Sequence, residues 1–329
     1  MMKKILYLAL LVTAIFLLAA CNTSTPIDQK PPLTVGWSLW PGYYPLILAD
    51  KLGYFKARGL NVDARFYENF ADIPIDFTAG KLDTALVTVF DALPINARSA
   101  SEVSPIVMIT DNTTTGDAIV ATSAITSIAD LKGKTIAVAF DSYAEVLVRA
   151  MLKQAGLSAN DVTLVDIPPE EVPAQLGRTI DAGHTFDPFI TQAVDQGNHV
   201  IFTGVQTPGL LLDVLIARQS TLKDRPADVR AFIDAFFAAQ EWWRQHQIEG
   251  SHIIAEATGQ KPEDISLDGL RLYDRADNLK SFIEASAPNS LYRSLDGNLT
   301  YLLDSGTLNN RPQLSQLMDW TFLNKEELP

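Results

Sequence analysis

Two α/β lobes around a shared cleft are the fold class this sequence predicts, and three observations predict it. From Leu33 onward, short β-rich apolar runs alternate with stretches of helical periodicity, the pattern of mostly parallel sheets covered by helices on both faces. A second such cycle begins near Asp130. The cycles are joined by residues 111–117 on the way out and 204–210 on the way back. A chain that crosses twice leaves a crevice where strand ends of both sheets meet, and ligands gather there.

In the first cycle strands are expected at 33–37, 60–66, 82–87 and 104–109, with helices at 45–57 and 73–78, the second stopped by Gly80. The second lobe opens with a strand at 118–121 and a glycine-ended turn at 130–134. Strands at 135–139, 162–165, 182–185 and 200–202 then alternate with helices at 143–155, 170–176 and 190–196. After the turn signal Thr207-Pro208-Gly209, residues 210–217 read as a buried strand interrupted by one acid, Asp213. The last third is helical. Its main element, 227–247, is amphipathic, with Val229, Phe232, Ile233, Phe236, Phe237 and Trp243 on its apolar faces; shorter helices are expected at 253–257, 278–286 and 291–303.

At the N-terminus Lys3 and Lys4 precede an apolar stretch from Ile5 to Leu18 and then Ala19 and Ala20, the layout of a secretory signal. By length alone a transmembrane helix is the alternative. Leu18-Ala19-Ala20-Cys21 resembles the processing box of bacterial lipoproteins. That resemblance implies a signal at 1–20, cleavage before Cys21, lipid on its sulfur and anchoring to the bacterial cell membrane on the periplasmic or extracellular side. Residues 21–32 are polar and hold three prolines, so they read as a flexible tether.

Cys21 is the sole cysteine of the 329 residues, which excludes an intrachain disulfide and a thiolate metal cluster. The formal net charge is −13; removing Lys3 and Lys4 with the signal leaves 24 basic against 39 acidic residues, about −15. That balance argues against nucleic acid or an anionic membrane face as a partner. No GxSxG, P-loop or HExxH pattern occurs, and His184, His199, His246 and His252 lack metal-ligand spacing. Neither catalysis, nor a metal, nor a cofactor is therefore expected.

The densest local signal is Gly36-Trp37-Ser38-Leu39-Trp40-Pro41-Gly42-Tyr43-Tyr44-Pro45, directly after the first strand. Trp37, Trp40 and Tyr43 on such a loop suit the walls of a small-molecule pocket, facing apolar carbons or a cation; packing beneath the loop as its anchor is the other use. Thr113, Thr114 and Thr115 ahead of Gly116 offer hydroxyls and backbone N–H groups suited to an anion, or form an ordinary polar turn. Asp141, Ser142 and Tyr143 open a helix, where an anion or simply a cap would sit. Asp213, buried in an apolar strand, needs a partner: a neighbouring backbone group, Arg218, or the ammonium of a ligand. His184, between Gly183 and Thr185, reads as a packing residue close to the crevice.

These segments together resemble the solute-binding lipoproteins of ABC importers in the nitrate, sulfonate and taurine group, the thiamine-precursor-binding-like family. The resemblance is carried by Val35-Gly36-Trp37, by LILADKLGYFKARG from Leu46 to Gly59, by FTAGKLDTALV from Phe77 to Val87 and by DNTTTGDAIVA from Asp111 to Ala121. Ile128-Ala129-Asp130-Leu131-Lys132-Gly133-Lys134-Thr135, DAGHTFDP from Asp181 to Pro188 and Asp213-Val214-Leu215 continue it. It implies a periplasmic-binding-protein-like fold of type II topology, with lobe 1 from 33–115 plus 211–329 and lobe 2 from 116–210. It further implies a monomer that opens and closes on a small solute and delivers it to an ABC permease. By the same resemblance the pocket draws on Trp37, Trp40 and Tyr43, on Thr113, Thr114 and Thr115, on Asp141, Ser142 and Tyr143, and on Thr185, Phe186 and Asp187, with Asp213 against an amine. The lack of a basic cluster disfavours nitrate and bicarbonate, which leaves a taurine-like amino-sulfonate, an alkanesulfonate or a nitrogenous solute as expected cargo. A pyrimidine thiamine precursor is the alternative, and a precursor-synthesis enzyme on the same fold the more distant one.

Overall fold

The computed structural model describes residues 30–98, 102–187 and 189–324. The secretory signal, Cys21 and all of the tether before Lys30 lie outside the described residues, as does Pro188. Among the described residues no helix is long and apolar enough to cross a membrane.

Among the described residues, eleven strands fall into two sheets. The first sheet holds β1 (Leu33–Trp37), β2 (Val62–Phe66), β3 (Thr84–Thr88) and β4 (Ile106–Thr113). The second takes β5 (Asp117–Ala121), β6 (Thr135–Val138), β7 (Thr163–Asp166), β8 (Ala182–Phe186) and β9 (His199–Thr203). The chain then returns to the first sheet for β10 (Leu212–Ala217) and β11 (Leu270–Leu272). In space the orders are β2-β1-β3-β10-β4-β11 and β7-β6-β8-β5-β9. The two lobes thus repeat one plan. In each, the strand that enters from the other lobe, β10 or β5, runs antiparallel to both of its neighbours, which is the type II arrangement of two-lobed binding proteins.

Burial explains why these segments become strands. Every residue of β4, β5 and β10 is buried, as expected of strands covered on both faces. The first lobe is closed by the long helix Pro226–Gln245, whose Phe232 stacks on Phe55 with ring centroids 5.4 Å apart. Val229, Phe236 and Trp243 of the same helix are also fully buried, each contributing about 1.5–3 kcal/mol by leaving water. In the second lobe one apolar cluster, with Ile136, Leu147 and Phe202, covers one face of the sheet. A smaller cluster around Val120, Val172 and Ala193 covers the other.

Three departures from the expected elements have local causes. The helix expected at 45–57 is two pieces, Pro45–Lys51 and Tyr54–Ala57, because Gly53 takes a left-handed conformation (φ 74°) that ends a helix. Residues 89–98 form a helix with Pro94 inside it; its buried Val89, Phe90, Leu93 and Ile95 hold it despite the missing N–H. The edge of β4 is closed partly by β11, which pairs with Asp111, Asn112 and Thr113, and partly by a side chain. Buried Asn278 accepts from Ile109 N at 2.7 Å and donates to Ile109 O at 2.9 Å, so it stands in for a strand.

Removing that amide leaves a buried N–H and a buried carbonyl unpaired. Asn278→Leu is expected to destabilise the protein by about 2–4 kcal/mol, read as a fall in the urea midpoint; an unchanged midpoint would show that water replaces the amide.

Candidate functional site

The cleft between the sheets is assembled from strand ends. The segments after β1, β2 and β3 contribute from the first lobe, and those after β6 and β7 with the end of β8 itself from the second. The starts of β10 and β5 join them, because these strands run the opposite way. Together they enclose a cavity of about 460 Å³, within the range of small-molecule sites.

The aromatic loop is held by carboxylates. Trp40 Nε1 donates to Asp111 Oδ1 at 3.1 Å, the Tyr43 hydroxyl donates to Asp213 Oδ1, and both rings line the cavity. Gly42 rests directly on the Asp111 carboxylate, where a Cβ would overlap it. Across the cleft, the Tyr143 hydroxyl donates to Asp117 Oδ1 at 3.0 Å and His184 Nε2 meets the same oxygen at 2.9 Å. Since a carboxylate only accepts, Nε2 carries a proton, and in the neutral ring Nδ1 is an acceptor. His184 and Asp117 are both about 1% exposed, and both line the cavity.

Asp213 owes its electrostatics to strand register. It lies opposite Asp111 on β4 and opposite Thr88 on β3, and the Thr88 hydroxyl donates to Asp91. Directly opposed like charges repel; Asp111 and Asp213 are buried and Asp91 is half-buried. Burial first, and then the Asp111 charge, pushes the Asp213 carboxyl well above its usual range. Burial likewise raises Asp111 to about 7, against the opposing hydrogen bonds from Thr110 and Trp40, and raises Asp91 to about 6.

Of the residues singled out from the sequence, Trp40, Tyr43, Thr113, Ser142, Tyr143, Phe186 and Asp213 line this cavity. The others are placed elsewhere. Trp37 is the last residue of β1, 8% exposed, and packs on Phe66, its register partner on β2. The amides of Thr114 and Thr115, with that of Gly116, all donate to Gly269 O, at 2.8, 3.2 and 3.1 Å, so they are not open to an anion. Asp141 is exposed with φ 55°; Thr185 is buried with its hydroxyl on Pro169 O; Asp187 accepts from Thr191 at the start of the helix Phe189–Asp195. Arg218 does not meet Asp213: it donates to Glu102 and to the carbonyls of Leu82 and Phe77. Sequence reasoning passed over Glu68, Phe70, Phe90, Asp117, Glu170 and Asn298, all of which line the cleft. Only position marks Glu68 and Glu170, which follow strand ends, and Asp117, which opens β5, while Asn298 arrives from a distant helix.

Two lobes that share a five-strand order around a lined cleft define a protein of the periplasmic-binding class. The family described as NMT1/THI5 like matches residues 40–249, more than half of the chain, and the chain belongs to that family, which groups with ABC-importer solute-binding proteins. A protein of Bacillus subtilis (strain 168) named for binding aliphatic sulfonates is 27% identical over 262 residues, 76% of this chain and 77% of its own. A 4-amino-5-hydroxymethyl-2-methylpyrimidine phosphate synthase of Aspergillus parasiticus is 30% identical over 156 residues, 47% of this chain and 45% of its own. Among solved structures, the periplasmic aliphatic sulphonate binding protein SsuA of Escherichia coli superposes with a TM-score of 0.73 at 17% identity, covering 91% of this chain and 96% of that one. The desulfurization enzyme DSZB superposes at 0.63 and 18% identity over 89% and 98%. The fold thus serves binding proteins and some enzymes alike.

Two outcomes follow from the loop and its acids. Gly42→Ala drives a methyl group into Asp111, with an expected cost of about 1–3 kcal/mol and a changed Trp40 environment, measured by urea denaturation and tryptophan fluorescence. An unfolded aspartate ionises near about 3.9, so the raised Asp91, Asp111 and Asp213 hold protons in the fold that the unfolded chain releases. The stability they contribute is fully present below about pH 4 and is lost as pH rises, through about 6 for Asp91 and about 7 for Asp111, with Asp213 acting in the same direction. Asp213→Asn is therefore expected to raise the melting temperature of the unliganded protein more at pH 8 than at pH 5 in differential scanning fluorimetry; the reverse order would contradict the repulsion.

Proposed function

We propose that this protein is the solute-capturing component of an ABC importer and that its solute is a small nitrogenous organic molecule presenting a protonated or N–H-bearing nitrogen to Asp213. One observation carries the reading: every charged side chain lining the cleft, Glu68, Asp117, Glu170 and Asp213, is acidic, with no Lys or Arg among the described lining residues. A buried carboxyl pair that repels itself is relieved by a cation, and aromatic faces add to that attraction.

The amine end of a taurine-like solute fits this cleft. A sulfonate or nitrate as the sole recognition group fits poorly. The Thr114, Thr115 and Gly116 amides are spent, and at the start of the helix Tyr143–Gln154 the Ser142 hydroxyl and carbonyl already accept from the Ala144 and Glu145 amides. A pyrimidine thiamine precursor is favoured by the aromatic lining, since Trp40, Tyr43 and Tyr143 offer ring faces while Asp213 meets an exocyclic amine, and the relative named as a pyrimidine phosphate synthase supports it. The sequence pattern supports placement of the body on the outer side of a bacterial membrane through a lipid at Cys21, as a monomer that meets a permease.

Isothermal titration with taurine, an aminopyrimidine, ethanesulfonate and nitrate tests the reading. Amine-bearing solutes should bind and lose roughly ten- to hundredfold in affinity in Asp213→Asn; equal binding of amine-free solutes would overturn it. Affinity for the amine should rise with pH through about 7, because the proton held by the Asp111 and Asp213 pair is displaced as the cation arrives. Turnover of a bound solute would place the protein with the enzymes of its fold instead.

A further inference from the structure

The acids of the cleft form two tiers, and each tier takes one member from each lobe. Asp213 near the start of β10 and Asp117 at the start of β5 are the buried tier, 7% and 1% exposed. Glu68, after β2, and Glu170, after β7, are exposed. The pairs occupy equivalent places in the repeated sheet plan, since β10 corresponds to β5 and β2 to β7.

Hydrogen-bond accounting points the same way. The cleft's donors are largely spent on the protein itself: Tyr43 on Asp213, Tyr143 on Asp117, Trp40 on Asp111, Thr88 on Asp91, and Ser142 on Ala139 O. Acceptors are left over. Asn298, 1% exposed and lining the cavity, commits its amide nitrogen to Leu210 O and Ser294 O, which fixes its orientation and leaves Oδ1 without a partner. His184 likewise has no partner at Nδ1. A buried acceptor left unmade is costly, and a donor brought by a solute removes that cost. Ser38, the Thr113 hydroxyl and the Asn69 amide nitrogen are the neutral side-chain donors that remain among the described lining residues.

From this geometry, and resting on the nitrogenous reading above, we infer that the solute carries two separated cationic or N–H-rich nitrogens, as in a diamine or longer polyamine, one between Asp213 and Asp117 and one between Glu68 and Glu170. Phe70, Phe186 and Leu39 supply apolar surface for the carbons between them.

The test uses the full chain in detergent and titrates propylamine, 1,4-diaminobutane, spermidine and ethanesulfonate. The diamine and triamine are expected to bind at least about tenfold more tightly than the monoamine, the worth of a second charged contact. That preference should collapse in the double variant Glu68→Gln/Glu170→Gln and persist in Glu263→Gln/Glu284→Gln, which removes the same charge at exposed sites elsewhere. Equal affinities for monoamine and diamine, or a preference that survives the cleft variant or vanishes in the remote one, would overturn the two-centre solute while leaving the nitrogenous reading standing. Binding of ethanesulfonate with no amine bound would overturn both.

Discussion

Each sheet of this protein is completed by a strand that the other lobe delivers, and that exchange is the constraint on which the rest depends. β10 and β5 must run against their neighbours, because each enters its sheet from the cleft side. Their first residues therefore stand at the cleft, among the last residues of the parallel strands. A carboxylate placed at the start of either strand is carried to the shared crevice by topology alone, and Asp213 and Asp117 occupy those two places.

The same register that delivers Asp213 sets it against Asp111. An apolar residue at either position would stabilise the sheet better, so the pair is held at a cost to the unliganded fold. The cost is moderated by Tyr43 and Trp40, which donate to the two acids and are oriented by doing so. Loop order and cleft electrostatics are therefore one arrangement. The rings stand where they do because the acids beneath them need donors.

Much of this was legible in the sequence. Strand and helix alternation, the two crossings and the acid inside an apolar strand came from residue pattern, and Trp40, Tyr43, Tyr143 and Asp213 came from asking what such residues do in such places. What stayed hidden depends on partners remote in sequence. Pro94 argues against a helix locally, yet five buried apolar neighbours outweigh it. Trp37 looks like part of the aromatic loop, but strand alternation and Phe66 claim it. The threonine run looks rich in free amides until Gly269, more than 150 residues away, is brought beside it. His184 reads as packing because nothing nearby in sequence announces Asp117 as its neighbour.

That glycine carbonyl has a mechanical meaning. Three successive amides of the first crossing share one acceptor, all within 3.2 Å, whereas an ordinary ladder gives each amide its own. When a crossing twists, a ladder must break bonds one by one. Here one carbonyl oxygen gathers all three donors, so the contact is concentrated at one point instead of being spread along a ladder. The first crossing is therefore pinned at a single atom to the segment just before β11, a point attachment rather than a seam.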